Sequence, residues 1–288
     1  MSETKNTVDA HYDANASRYH ELYDTNTHYD VNAKYPANYF RLQMLLNSFV
    51  NRGINRVIEV GVGEGTPLAT LGEAGMDVWG FDISNAMVEK SKETLSKHNM
   101  NPDQIFWADI QDPITYAHAL RGGRFDGLMA MGVMPHVHND DMVLKNMSAL
   151  VKPGGSVFIE FRNKLFSLFT FNRYTMEFIM DDLLDGVSDD IRNSVRADLE
   201  TRLRTDMPPI RDKVHGSSSA PGYDQILSRF HNPFEVVETF KDMGFSEVQL
   251  RWYHYHPAMP YLQGDMADQC RRESLTMEHS PSHGKGYF

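Results

Sequence analysis

Cysteine is almost absent from the sequence, because Cys270 is the only one in 288 residues. A single cysteine cannot form an intramolecular disulfide, so the disulfide-stabilised secreted class is excluded and a reducing compartment fits. The first ten residues are polar and lack the apolar core of a signal peptide, and no apolar run reaches membrane-spanning length. We therefore expect a soluble, cytoplasmic protein that does not use a membrane as a partner.

Basic residues are also in short supply. The chain has 28 lysines and arginines against 39 aspartates and glutamates, which gives a net charge of -11. An acidic surface repels phosphate backbones, so nucleic acid is not an expected partner. Arginines recur between Arg192 and Arg211, but acidic residues are interleaved among them, which is typical of a solvated helical face. Whether the chain forms a homo-oligomer stays open.

Strand-like and helix-like segments alternate between Tyr39 and Phe161. Alternation of this kind is typical of βαβ units and predicts a doubly wound, mostly parallel α/β sheet. Pro153-Gly154-Gly155 is predicted to form the turn into the fifth strand. The expected strands are 56–61, 77–82, 105–109, 125–131 and 156–161.

The alternation stops after Phe161, and residues 162–230 have the pattern of helices and loops. Ligands bind at the carboxyl edge of open α/β sheets, so we expect this insertion after the fifth strand to form a helical lid with a substrate pocket. A helix beginning at Asn232-Pro233 and a strand over about 247–255 follow. The predicted domains are an N-terminal helical cap (1–52), a ligand-binding core (53–161), the lid (162–230) and a C-terminal part of the core (231–288).

The most informative stretch runs from Glu59 to Gly65 and reads E-V-G-V-G-E-G. Glycines directly after a buried strand let the backbone turn sharply and approach a ligand. The nicotinamide-type fingerprint G-x-G-x-x-G, counted from Gly61, needs its third glycine at position 66, but that residue is Thr66. The mismatch counts against a nucleotide-dependent oxidoreductase.

Acidic residues end two further strands. Asp82 ends the second predicted strand, where a carboxylate can accept both hydroxyl hydrogens of a ribose. Asp109 ends the third and can accept a hydrogen bond from an adenine amino group, with Ile83 and Ile110 as apolar walls for the ring. With Glu59, these acids end three strands of one sheet. A nucleoside site explains that set better than three unrelated caps of loops or helices do.

These features together resemble the class I S-adenosylmethionine-dependent methyltransferases, above all the small-molecule group that includes the ubiquinone-biosynthesis-like enzymes. The resemblance covers roughly residues 10–161 and, more weakly, 232–256. It implies a Rossmann-like fold, S-adenosyl-L-methionine as the cofactor and a small-molecule methyl acceptor as the partner. The residues that carry it are 57–66, Asp82, Asp109, Phe125-Asp126 and Pro153-Gly154-Gly155.

The resemblance also implies roles for single residues. The glycines would border the methionine part of the cofactor, the acids would hold its ribose and adenine, and Met131 would offer its backbone to the amino group. Tyr19 would lie on an opening helix that closes over the cofactor. The predicted cofactor-binding residues are Tyr19, Glu59, Gly61, Gly63, Gly65, Asp82, Ile83, Asp109, Ile110 and Met131.

Histidines are the candidates for chemistry, because the pKa of imidazole suits a base that removes a proton from a hydroxyl or a protonated amine. His136 follows the fourth predicted strand at the carboxyl edge of the sheet. His254 and His256 would point to one face of the predicted strand at 247–255. Positioning or packing is the competing interpretation for all three, and no recognised ligand spacing favours a metal.

Polar residues at and beyond the end of the fifth strand are candidates for gripping a polar acceptor. The predicted substrate-binding residues are Arg162, Asn163, Tyr174 and His231. The preferred hypothesis is O-methylation of a small polar metabolite, with N-methylation of a small amine as its alternative. From other classes, an oxidoreductase and a non-catalytic S-adenosylmethionine-binding module stay open.

Overall fold

The computed structural model of the chain describes residues 3–16, 36–214, 219–262 and 267–279. The predicted cofactor residue Tyr19 lies outside these ranges. The described residues divide between two compact units. The first draws on Met1–Thr25, Asn38–Arg162 and Arg211–Arg229, and the second on Asn26–Ala37, Asn163–Ile210 and Phe230–Phe288.

Five parallel strands form the sheet of the first unit, in the order β3-β2-β1-β4-β5. The chain order reverses between β1 and β4, and such a switch point leaves a crevice at the carboxyl ends of the strands. The doubly wound parallel sheet is therefore confirmed. The strands are β1 Arg56–Val60, β2 Asp77–Asp82, β3 Ile105–Trp107, β4 Phe125–Ala130 and β5 Val151–Ile159.

Helices cover the sheet and make up most of the regular structure of the second unit. Their bounds are α1 Glu3–Asn15, α2 Ala37–Asn51, α3 Thr66–Glu73, α4 Asn85–Lys97, α5 Asp140–Leu150, α6 Phe166–Thr170, α7 Arg173–Glu177, α8 Asp189–Glu200, α9 Pro233–Asp242 and α10 Ala267–His279. In the described ranges, no helix has the length and apolar character needed to cross a membrane.

The core of the first unit lies between the sheet and its helices. Leu42, Leu45 and Phe49 are buried at helical spacing on one face of α2. They belong to one apolar cluster with Val57 of β1 and Leu68 of α3. The parallel pairing of the strands then places all of their carboxyl ends at one edge of the sheet.

The predicted turn into the fifth strand is wrong, because Pro153-Gly154-Gly155 lies inside β5. Val151 pairs with Phe125 and Ser156 pairs with Gly127, so five steps along β5 match two along β4. Glycine makes this bulge feasible: Gly154 has a φ of +79°, and a Cβ on Gly155 would lie 2.7 Å from the carbonyl oxygen of Asp126.

The predicted strand over 247–255 is also wrong, since residues 247–256 are irregular. His254 has a φ of +64°, a left-handed conformation that an extended strand does not contain. The segment predicted as a lid is divided, with residues 163–210 in the second unit and 211–229 in the first. The four domain boundaries stay predictions.

Candidate active site

A pocket of the first unit lies at the carboxyl ends of β1, β2 and β4. Residues of the loop after β1, of the loop that leads into α4, and of α1 and α2 also line it. Among the predicted residues, those that line it are Glu59, Gly61, Gly63, Asp82, Ile83, Asp109, Ile110, Met131 and His136. The structure thus brings most of the predicted cofactor residues to one place, together with one predicted catalytic histidine.

The glycines after β1 are required by the space around them. A Cβ on Gly61 would lie 2.6 Å from Cγ2 of Val133, and one on Gly65 would lie 2.5 Å from Oγ of Ser91. Gly65, with a φ of +89°, is also the N-cap of α3. Gly61 and Gly63 line the pocket, whereas Gly65, predicted as a cofactor contact, is not part of the lining and instead begins α3.

Asp82 joins three elements at the pocket. Its Oδ2 accepts a hydrogen bond from the Gly63 N–H and its Oδ1 accepts one from the Ser84 N–H, each at 2.9 Å. Ser84 in turn is the N-cap of α4. Burial raises the pKa of Asp82 to about 6, and the backbone donors oppose that rise. Because each carboxylate oxygen has two lone pairs, Asp82 can still accept from a diol.

Glu59 at the end of β1 is almost completely buried, with 1% of its surface exposed. Its Oε2 has no hydrogen-bond partner among the described residues. Burial raises the pKa of Glu59 well above its ordinary value, and the positive charge of Arg41 acts in the opposite direction. A buried acceptor of this kind suits a ligand that brings a donor.

Arg41 of α2 is a pocket residue that the sequence patterns did not predict. Its side chain is buried and lines the pocket, and its Nη1 donates to Oε2 of Glu160 at 2.6 Å. The signal was there, because Arg41 is the only charged residue in α2. A charge on the otherwise uncharged face of a helix that packs on a sheet points to a partner at the sheet.

The adenine side of the predicted site has a polar and an apolar part. Asp109 is buried, and its Oδ1 accepts from the Gln111 N–H at 3.0 Å. Ile110 is buried beside it, and Ile83 follows Asp82 on the same wall. This combination can hold a flat ring and accept a hydrogen bond from its edge.

His136 lies in a fixed orientation on the pocket wall. Its Nδ1 is 2.6 Å from the Leu227 carbonyl oxygen, which can only accept, so Nδ1 carries the proton. Its Nε2 is therefore an acceptor and receives a hydrogen bond from Oη of Tyr12 at 2.9 Å. Burial above all, with smaller contributions from Arg162 and His11, lowers the pKa of His136 to about 4, and the hydrogen bond to the Leu227 carbonyl opposes this shift.

Three consecutive residues of α1 contact three different segments of the first unit. His11 Nδ1 contacts the Pro221 carbonyl oxygen at 2.8 Å, and Tyr12 contacts His136. Asp13 Oδ1 accepts from the Ala86 N–H at 3.1 Å and from the Ser84 hydroxyl. The sequence pointed to an opening helix that covers the cofactor but not to these contacts.

The other predicted residues lie apart from this pocket's lining. Arg162 belongs to the first unit, where its Nη1 donates to Ser228 Oγ at 2.5 Å and its guanidinium lies 4.9 Å from the Tyr223 ring. The second unit contains Asn163, which forms a bridge with His231, and Tyr174, whose hydroxyl accepts from Arg173 at 2.9 Å.

His254 and His256 also belong to the second unit and remain close although no strand forms. Their ring centroids are 4.4 Å apart. The backbone N–H of His254 donates to Oε1 of Glu278 at 2.6 Å, and burial lowers the pKa of His256 to about 4. No group of three ligating side chains suited to a metal occurs in the part of the chain that the structure describes.

A family model described as a methyltransferase domain matches residues 29–193, which is more than half of the chain. The chain therefore belongs to the methyltransferase domain family. This result confirms the resemblance to class I S-adenosylmethionine-dependent methyltransferases and disagrees with an oxidoreductase.

Curated relatives agree with this family. The ubiquinone biosynthesis O-methyltransferase of Coxiella burnetii (strain Dugway 5J108-111) is 26% identical over 152 residues, which cover 51% of this chain and 59% of the relative. The enzyme of the same name from Bordetella avium (strain 197N) is 29% identical over 140 residues, covering 48% and 54%. The chain thus spans a little more than half the length of these relatives.

Solved structures show the same fold at low identity. Magnesium protoporphyrin IX methyltransferase from Synechocystis PCC 6803, solved with bound SAH, superposes with a TM-score of 0.52 at 15% identity, covering 86% of this chain and 91% of that one. DhpI in complex with SAH gives a TM-score of 0.50 at 15% identity, covering 85% and 89%. Both confirm the Rossmann-like class I fold.

The cofactor of this family is S-adenosylmethionine, and the pocket fits it. The buried Oε2 of Glu59 offers an acceptor for an ammonium group, and Gly61 and Gly63 bring the backbone of their loop to the pocket wall. Asp82 and Asp109 offer acceptors for a ribose diol and an adenine amino group.

Proposed function

We propose that the chain transfers the methyl group of S-adenosylmethionine to an oxygen atom of a small polar metabolite. The hydrogen bond between Tyr12 Oη and His136 Nε2, at 2.9 Å on the wall of the cofactor pocket, carries the proposal. The names of the curated relatives, which are O-methyltransferases, support an oxygen acceptor. Bound S-adenosylmethionine supplies an electrophilic methyl group on a sulfonium.

The chain's own task is to hold the acceptor, exclude water and take up one proton. Tyr12 Oη donates to His136 Nε2 and keeps lone pairs that can accept from an acceptor hydroxyl. The hydroxyl proton can then pass to Tyr12 while the Tyr12 proton passes to Nε2. Tyr12 is regenerated, and the Nδ1–H bond to the Leu227 carbonyl holds the imidazole in place throughout.

The low pKa of His136 is compatible with this role. Its value of about 4 keeps Nε2 unprotonated, and so an acceptor, throughout the neutral range. A hydroxyl oxygen that has gained a methyl group while keeping its hydrogen is a very strong acid. A weak base is therefore sufficient, provided that it is already in place when the oxygen–carbon bond forms.

The acceptor side of the site is proposed from the remaining polar residues. Arg162 is the predicted substrate residue that belongs to the first unit, and its guanidinium lies 4.9 Å from the centroid of the Tyr223 ring, which in turn is 6.0 Å from that of His136. Asn163, Tyr174 and His231 of the second unit are retained as proposed substrate contacts, and the His254–His256 pair is retained as a proposed second source of a base.

A methyl-transfer screen tests the proposal. S-adenosylmethionine with a labelled methyl group is incubated with hydroxylated and amine metabolites, and the methylated atom is identified by mass spectrometry and NMR. Each of His136, His254 and His256 is replaced by alanine, with His98→Ala as the matched control. His98 is 40% exposed and pairs with Glu73 on the surface.

We expect an O-methylated product and a loss of about 10²- to 10⁴-fold in kcat for His136→Ala, with cofactor binding retained. Tyr12→Phe should show the same pattern because it interrupts the proton path. An N-methylated product would show that the acceptor is an amine and would contradict the proposed oxygen acceptor. Cofactor binding without turnover on any acceptor would leave a binding module instead of an enzyme.

A further inference from the structure

Arg162 lies just beyond the carboxyl end of β5, the strand next to β4 at one end of the sheet order. Ile159 of β5 pairs with Ala130 of β4, and the Glu160 N–H donates to the Ala130 carbonyl at 3.0 Å. His136 follows β4 at the same edge of the sheet. The residues proposed to hold ribose and adenine lie at the ends of β2 and β3, on the other side of β1. The β5 side of this edge is therefore the side from which a methyl acceptor meets the histidine.

One short segment of the first unit holds both Arg162 and the histidine. The Leu227 carbonyl accepts from Nδ1 of His136 at 2.6 Å, and Oγ of the next residue, Ser228, accepts from Nη1 of Arg162 at 2.5 Å. The residue after that, Arg229, bonds to the loop that follows β4 through its backbone and its side chain. Consecutive residues thus set the positions of the guanidinium and the imidazole relative to each other.

The separation of these two groups suits a small molecule. The guanidinium carbon of Arg162 lies 4.9 Å from the centroid of the Tyr223 ring, and that centroid lies 6.0 Å from the centroid of the His136 ring. These two distances limit the separation of guanidinium and imidazole to at most about 11 Å. One aromatic ring or a chain of a few carbons, with a hydrogen bond at each end, spans such a distance.

Positive charge is concentrated around Tyr223, although the chain as a whole has a net charge of -11. The guanidiniums of Arg162 and Arg211 lie 4.9 and 4.4 Å from the centroid of its ring, and Asp224 pairs with Arg211. After burial, the charge of Arg162 is also among the causes that lower the pKa of His136. A ligand carboxylate beside Arg162 would reduce the repulsion among these groups, and a planar guanidinium can bind a carboxylate through two parallel hydrogen bonds.

We propose that the methyl acceptor is a small hydroxylated carboxylic acid, whose carboxylate binds Arg162 while its hydroxyl meets the Tyr12–His136 pair. Ser228 and Tyr223 hold the guanidinium in place for this contact. The carboxylate serves as a handle at the β5 side of the site and is not itself methylated. The inference rests on the proposed function and adds the charge and the size of the acceptor to it.

Transfer of a labelled methyl group to matched pairs of compounds tests the inference. Hydroxybenzoates and short-chain hydroxy acids are each compared with their primary amides, which have nearly the same shape without the charge. The compared proteins are the full-length wild type, Arg162→Met, Arg162→Lys and Arg202→Met. Arg202, whose side chain is 65% exposed, gives the matched loss of one positive charge. Calorimetric titration with S-adenosylmethionine reports on the cofactor site of each protein.

We expect the kcat/KM of the wild type for the hydroxyl of an acid to exceed that for its amide by at least about tenfold. Arg162→Met should lower the value for the acid by about 10- to 150-fold, mainly through KM, and the value for the amide by less than about threefold. Arg162→Lys should recover part of this loss, because it restores the charge without the planar fork. Arg202→Met should change neither value, and the affinity for S-adenosylmethionine should be the same in all four proteins.

Equal rates on acids and amides, or a preference for acids that Arg162→Met does not change, would overturn the inference and leave the proposed function intact. A methyl ester formed at the carboxylate would overturn it as well, because the anion would then lie at the methyl group. Methylation of no hydroxyl in either series would contradict the proposed function itself. If Arg162→Met fails to fold, Ser228→Ala replaces it, since it removes the acceptor that holds the guanidinium. This variant should lower kcat/KM for the acid alone, by about 3- to 10-fold.

Discussion

Asp82 shows how one residue can serve both the fold and the ligand. Its two oxygens hold the backbone of the glycine loop and of the α4 entry, yet burial raises its pKa to about 6. The native protein therefore binds a proton at Asp82 more tightly than the unfolded chain does. The stability that this proton gives is present in acid and is lost as the pH rises from 3.8 through about 6.

Asp82→Asn should remove this pH dependence and weaken cofactor binding. The free energy of unfolding of the variant, taken relative to the wild type, should rise between pH 4.5 and 7.5, by on the order of 3 kcal/mol at most. His136 and His256 titrate in both proteins, so their effects cancel in the difference. Denaturant unfolding at a series of pH values measures it, and a flat difference would contradict the cost of burial.

The same substitution should raise the dissociation constant of S-adenosylmethionine at pH 7.5 by about 10- to 150-fold. This range corresponds to the 1.5–3 kcal/mol of hydrogen bonds to a charged group. For the wild type, affinity should fall as the pH drops below about 6, because a protonated carboxyl accepts fewer hydrogen bonds. An unchanged constant in a folded variant would remove Asp82 from the site.

At the scale of elements, residues 219–229 are fixed to the loop after β4. Arg229 donates to both oxygens of Asp140, at 2.7 and 3.0 Å, and to the Val137 carbonyl at 2.9 Å. Its backbone N–H donates to the Pro135 carbonyl at 2.9 Å. The same segment carries the Leu227 carbonyl that orients His136.

Arg229→Met should therefore loosen this segment and destabilise the protein by about 1–3 kcal/mol, the range for charge-assisted hydrogen bonds. Arg202→Met is the control, since Arg202 forms an exposed pair with Asp198 four residues earlier, near the end of α8, and should change stability by less than about 0.5 kcal/mol. Hydrogen exchange reports on the segment directly. Amide protection at 219–229 that is unaffected by Arg229→Met would contradict the anchoring.

Elements were predictable where the sequence signal was local. The strands β1 to β4 follow from short, largely apolar runs between helical patterns, and the start of α4 follows from its Ser84 cap. The course of β5 was misjudged because Pro153-Gly154-Gly155 is as compatible with a bulge as with a turn. The choice depends on the pairing with β4, which no local pattern contains.

The candidate site was predictable to the same extent. The strand-end acids and the glycines were found because their spacing is fixed by the fold itself. Arg41 was missed as a pocket contact because a helix before the sheet brings it there, and that depends on packing. For His254 and His256 the predicted strand was wrong, but the two rings still adjoin.

At the scale of the whole molecule, the family and the pocket make ligand stabilisation the broadest test. S-adenosylmethionine at 100 times its dissociation constant should stabilise the native state by about 2.7 kcal/mol. For a chain of this size, that corresponds to a rise in Tm of about 5 °C or more. Thermal unfolding with NAD as the comparison ligand decides it, because NAD should give no shift. A shift with NAD alone would contradict the assignment of the pocket.

Because three consecutive residues of α1 each make a different contact, this helix can be exchanged between related enzymes only as a whole. Side chains of successive helical residues point about 100° apart, so His11, Tyr12 and Asp13 keep their three contacts only while their order and spacing are kept. A single inserted residue within this triplet would misplace at least one contact, whereas transfer of the whole helix from a related enzyme would replace all three together. Engineers who wish to redesign the acceptor range can therefore graft α1 as one block.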